Sequence, residues 1–184
     1  MQRIHVIVIA LSMAGAASAQ DLSELVNYRA YSPVFASAGQ PTEPQLAAIR
    51  DAGFERIIYI AYSDQPKSLP NEDRLVKNLG LEYVHIPVEW NAPTGSDFYL
   101  FAAAMRSAPE KRTLLHCQVN YRASAFSFLY RVIYEDVPVA VAKADLNSVW
   151  TPNETWRDLI FAVLAENGVS PECEGCDWTP APDN

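Results

Sequence analysis

The chain has 184 residues, 49% of them apolar and 20% charged, with 14 basic against 22 acidic side chains and a net charge of −8. That balance excludes disordered, collagen-like and coiled-coil chains. The length suits one domain that buries its own core without a disulfide framework or a structural metal.

The first element in chain order is a targeting segment. Arg3 makes the start positive, residues 4–13 are an apolar run, and Ala17-Ser18-Ala19 is a small-x-small cleavage pattern. Together these predict a signal peptide over residues 1–19 and a chain that begins near Gln20 after cleavage. The run is too short for a bilayer, which takes about 20 residues. No later stretch is long enough either, so the expectation is an exported protein, periplasmic or secreted, with no membrane span. Losing residues 1–19 removes Arg3 and no acid, which makes the chain more acidic still. Such a chain repels nucleic acid, and an anionic ligand must be held by a local pocket of Arg and backbone N–H groups.

Thr42 can cap a helix running through Pro44, Leu46 and Ile49, with Gly53 past its end. Residues 56–62 (RIIYIAY) read as a strand, and 63–70 as a polar loop. A helical segment with Leu75, Val76 and Leu79 stops at Gly80, and residues 81–88 (LEYVHIPV) form the next strand. A turn follows, then a helix with Asp97 near its start and Phe98, Phe101, Ala102 and Met105 on one face. Residues 113–117 (TLLHC) are a third strand. Beyond it only helices are predicted, over 123–134, 139–149 and 154–165, before an irregular end. The pattern predicts an α/β fold: a central parallel or mixed sheet flanked by helices, with a helical C-terminal third.

The chemistry concentrates in His116-Cys117-Gln118-Val119-Asn120-Tyr121-Arg122-Ala123-Ser124, which joins a strand to a helix N-terminus. Unpaired N–H groups and the helix dipole there favour an anion. Cys117 supplies a nucleophile, Arg122 a planar fork for two phosphate oxygens, and Ser124 a hydroxyl that could stabilise or protonate the thiolate. A Cys at a strand end is otherwise a buried core thiol.

This segment resembles the phosphate-binding loop of the protein tyrosine and dual-specificity phosphatases, compact bacterial branch. GQPT at 39–42, YVHIPVEW at 83–90 and PTGSD at 93–97 add to the likeness, which spans residues 34–165. The resemblance implies a phosphatase-like domain over 20–167 with an irregular tail over 168–184. It implies Cys117 as nucleophile and Gln118, Val119, Asn120, Tyr121 and Arg122 as the phosphate cradle, with no metal or other cofactor. An upstream acid should protonate the leaving oxygen. Glu89 and Asp97 are the candidates and Asp64 the outsider, although Asp97 also suits a helix start and Glu89 a solvated strand end. His116 orients the loop.

The family spacing puts five residues between Cys and Arg, with Gly third after the Cys. Here four separate Cys117 from Arg122, and Asn120 stands in the Gly position. Asn enters positive φ more readily than most residues. One residue along a helix turns a side chain by about 100°, so either the loop is tighter and Arg122 still closes on the phosphate, or Arg122 points elsewhere. The substrate expected is a phosphorylated small molecule, lipid or protein. Two alternatives stand beside the phosphatase: a binding module of the same fold that holds an anion or a partner without turnover, and a rhodanese-like sulfurtransferase. Cys173 and Cys176, three apart in an exported chain with three Cys, are expected to form a disulfide and leave Cys117 free.

Overall fold

The computed structural model describes residues 22–180. The signal-peptide segment, residues 1–19, and the last four positions of the tail lie outside the described residues. A 3-10 turn at Leu22–Glu24 leads into strands β1 (Arg29–Ser32) and β2 (Phe35–Ala38), then α1 (Glu43–Asp51), β3 (Arg56–Tyr59), α2 (Glu72–Asn78) and β4 (Glu82–His85). The chain continues through α3 (Gly95–Ser107), β5 (Thr113–His116), α4 (Tyr121–Tyr134), α5 (Val139–Asn147) and α6 (Glu154–Glu166). The sheet order is β1-β2-β5-β3-β4, with β1 antiparallel to β2 and every other pairing parallel. The mixed sheet expected from the sequence is therefore present, with one addition: the β1–β2 hairpin, which carries no readable pattern.

Alternation along the strands divides the interior into two cores. Ala36, Ile57 and Leu114 face one side, where Leu46, Ile49 and Val76 of α1 and α2 cover them. Phe35, Ile58 and Leu115 face the other, under Phe98, Phe101, Phe126, Leu129, Trp156 and Ile160 of α3, α4 and α6. This is the period-two geometry of a strand covered on both faces. Each fully buried Phe or Leu contributes about 1.5 to 3 kcal/mol relative to exposure, so α4, buried continuously from Arg122 to Val132, is the spine of the second core.

Capping sets the helix ends. Thr94 Oγ1 accepts the Asp97 N–H at 3.2 Å while the Asp97 carboxylate takes the Thr94 N–H at 2.9 Å, a reciprocal box at the start of α3. At its other end the buried Arg56 donates to the carbonyls of Ala104 (2.6 Å) and Met105 (3.4 Å), a cation on the negative end of the helix dipole. Among the described residues no helix is long and apolar enough to cross a membrane.

Candidate active site

The C-terminal ends of parallel strands leave a crevice where crossovers diverge, and Cys117 sits there, directly after β5. Its side chain is buried, 1% exposed, at the floor of a cleft of about 410 Å³ bordered also by Lys67, Glu89, Trp90, Gln118 and Arg122. The loop turns into α4 through Asn120, whose φ of 72° and ψ of 0° are left-handed. Asn thus takes up the conformation that a Gly would enter freely.

Arg122 is the second residue of α4 and borders the cleft with Cys117. Its guanidinium carbon lies 5.2 Å from the centre of the Trp90 ring, and its buried Nε has no hydrogen-bond partner among the described residues. Despite the shortened spacing, Arg122 and Cys117 line the same cleft. Trp90 belongs to an aromatic wall: its ring lies 5.5 Å from Trp150, and Trp150 stacks on Tyr121 at 4.7 Å with a 4° interplanar angle.

Ser124 has its hydroxyl engaged within α4 and the aromatic wall. Its Oγ donates to Tyr121 O and accepts from Trp150 Nε1, both at 3.1 Å. The hydroxyl hydrogen is thereby aimed at Tyr121, and Ser124 anchors the aromatic wall. The carboxyl candidates also separate. Glu89 borders the cleft and its Oε1 accepts the Asn91 N–H at 3.3 Å. Asp97 is held in the α3 capping box and does not border the cleft, so a helix start claims it; Asp64 does not border it either.

Several supports of the loop were not legible in the sequence. Asn27 Nδ2 donates to Val119 O (2.9 Å), and Asn120 Nδ2 donates to Asn27 O (2.6 Å). Gln40 N–H reaches Gln118 O at 3.2 Å. A Cβ on Gly39 would sit 2.8 Å from Val26 Cβ and 3.1 Å from Gln118 O, so the glycine of GQPT lets two chain segments pass at close range. Behind the nucleophile, His116 Nε2 lies 3.2 Å from Glu72 Oε1, with both side chains buried. The His116 ring stacks on Tyr59 at 4.7 Å. Burial pushes the Tyr59 and Tyr83 phenols up, so both are donors at neutral pH: Tyr59 to Tyr62 O, Tyr83 to Glu72. Nothing in local spacing announces Asn27 or Glu72, because both act across long loops. Lys67 and Trp90 had a weak signal, a cation and an indole in the loops that follow β3 and β4.

Cys173 and Cys176 are disulfide-bonded, and Cys117 is the free cysteine.

A cysteine after the central strand, an arginine in the first turn of the next helix and the sheet order match the fold of the protein tyrosine and dual-specificity phosphatases. The structure of Tk-PTP in its active form shares it at 13% identity, covering 74% of this chain and 95% of that one with a TM-score of 0.64. Kinase associated phosphatase shares it at 10% identity, covering 74% and 88%, with a TM-score of 0.63. A nearer likeness is a DUF442 protein from Shewanella putrefaciens CN-32 that carries a provisional phosphatase name: 32% identity over 79% of this chain and 96% of that one, TM-score 0.73. The chain belongs to the DUF442 family. No family model matches it, and no curated protein does.

Proposed function

We propose that the protein is an exported cysteine-dependent phosphatase that hydrolyses a phosphomonoester through a phosphocysteine intermediate. One observation carries the reading: a thiol, a guanidinium with an unpartnered buried Nε and the N-terminus of α4 border a single cleft. A buried donor without a partner costs about 1 to 3 kcal/mol, and more when charged. A phosphate oxyanion beside helix N–H groups removes that cost.

In the first step the Cys117 thiolate attacks phosphorus. The S–P bond forms, the P–O ester bond breaks, and Glu89 gives its proton to the leaving oxygen. Arg122 and the N–H groups of the loop from Gln118 to Arg122 stabilise the charge that builds on the equatorial oxygens. In the second step Glu89 takes a proton from water, the water oxygen bonds to phosphorus, and the S–P bond breaks to release inorganic phosphate and the thiolate.

The purified protein is expected to hydrolyse an aryl phosphate at a rate that chelator leaves unchanged, and Cys117→Ser to abolish turnover while phosphate still binds. Phosphate binding with wild-type turnover no greater than that of Cys117→Ser would make the protein a binding module. A persulfide on Cys117 after thiosulfate, without phosphatase turnover, would make it a sulfurtransferase. Export has its own check: intact mass from the native host should correspond to a chain starting near Gln20. A cytoplasmic product retaining residues 1–19 would overturn that part.

A further inference from the structure

The cleft over Cys117 has a neighbour. A second hollow of about 410 Å³ adjoins it, and Lys67, Gln118 and Val119 border both. The second hollow is mostly apolar, with Val26, Pro41, Leu69, Pro70 and Val119 in its walls. Among the described residues, the large hydrophobics left exposed include Val26 at 47% and Tyr62 at 37%, and these two flank the pair of hollows.

Most of the polar side chains of this hollow are already engaged, the exceptions among the described residues being Gln40 Oε1, Glu43 and Lys67. Gln40 gives its side-chain amide to Glu72 at 2.9 Å and its N–H to Gln118 O at 3.2 Å. Gln118 gives its amide to Ser68 at 3.1 Å, Ser68 gives its hydroxyl to Tyr62 O at 2.9 Å, and the Thr42 hydroxyl goes to Gln45 at 3.1 Å. Two of the walls are prolines, which have no N–H to offer. A bound peptide needs partners for its own N–H and C=O groups; an aliphatic chain needs none. The net charge of −8 also disfavours approach to an anionic bilayer.

We infer that this hollow is an annex of the phosphate cleft that takes the aliphatic body of a free, single-chain amphiphilic phosphomonoester, with Lys67 at the junction facing the phosphate end. The inference rests on the phosphate-site reading above and deepens it by naming a substrate class.

The test is a binding series that does not depend on turnover. Butyl, hexyl and octyl phosphate, each below its micelle concentration, are titrated into wild type, Cys117→Ser and Val26→Asn, read by the fluorescence of the cleft tryptophan. Full burial gives about a fourfold gain in affinity per methylene, so octyl phosphate should bind wild type and Cys117→Ser at least ~10-fold more tightly than butyl phosphate at partial burial. Val26→Asn, at an exposed position, should flatten that ratio. Equal affinity for butyl and octyl phosphate, or a ratio unaffected by Val26→Asn, overturns the annex. So does the same gain with octanol, which would make the apolar site separate from the phosphate site. A phosphotyrosine peptide that outbinds octyl phosphate and is weakened by Val26→Asn would assign the hollow to a peptide instead. Absence of aryl phosphate hydrolysis with the chain-length ratio intact would sink the phosphatase reading and leave the annex standing.

Discussion

Arg122 is held by a ring face and not by a carboxylate. The cation–π contact with Trp90, 5.2 Å from the guanidinium carbon to the ring centre, holds the side chain without cancelling its charge. An ion pair would fix it equally well but would cancel the charge that phosphate needs. Lysine keeps that charge and loses both the stack and the two-oxygen fork. Arg122→Lys is therefore expected to lower the catalytic rate on an aryl phosphate by about 10², the scale of deleting one transition-state donor, with an unchanged unfolding midpoint as control. A rate within threefold of wild type would mean that the fork plays no part. At this scale the clustering of Cys117 and Arg122 at one cleft and the left-handed turn at Asn120 were legible because all three residues fall in one short strand-to-helix run. The Ser124 hydroxyl has a local acceptor, the Tyr121 carbonyl one turn back, which sequence spacing did not reveal.

Asp145 on α5 ties three elements together, accepting from Arg29 Nε of β1 at 3.0 Å and from Arg131 Nη1 of α4 at 2.8 Å. Burial alone would raise its carboxyl, but the two guanidiniums outweigh it and the net shift is downward. A folded-state value below the unfolded one means stability that is present above the ordinary Asp value, about 3.9, and lost as pH falls through the depressed value. Urea midpoints of wild type and Asp145→Asn should differ most near neutral pH and converge in acid. A gap that widens with acidification would contradict the assignment. The helices were legible because apolar residues recur on one face and because Thr42, Gly53 and Gly80 mark ends, residues with a physical task there. Strand β2 was not: FASA is four buried residues with two alanines, too short and too small to show a period.

Across the whole molecule, the described part of the segment after α6, residues 167–180, has no regular secondary structure, yet it is part of the packed body. Trp178 sits edge-on to Phe128 of α4 at 5.6 Å and to Phe161 of α6 at 5.2 Å, with Lys143 Nζ 4.4 Å from its ring centre. Burial under this strap pushes the Lys143 amine down. Trp178→Ala should lower stability by about 2 kcal/mol, less than a fully buried Trp because the ring is only partly covered. Chemical denaturation measures it, and a loss below a few tenths of a kcal/mol would show that the strap packs without holding.

The sheet order has a consequence in time. The central strand, β5, is the last of the five to be made, and it separates β2 from β3. Until it exists, the β1–β2 hairpin and the β3-α2-β4 unit are two halves with nothing between them. Inserting one strand then closes two long-range ladders at once, a late, cooperative step that carries the entropy of both loops. Cys117 is the next residue in the chain, so its thiol acquires the cleft only when the keystone is in, and a full chain with β5 not yet inserted displays that thiol without a site.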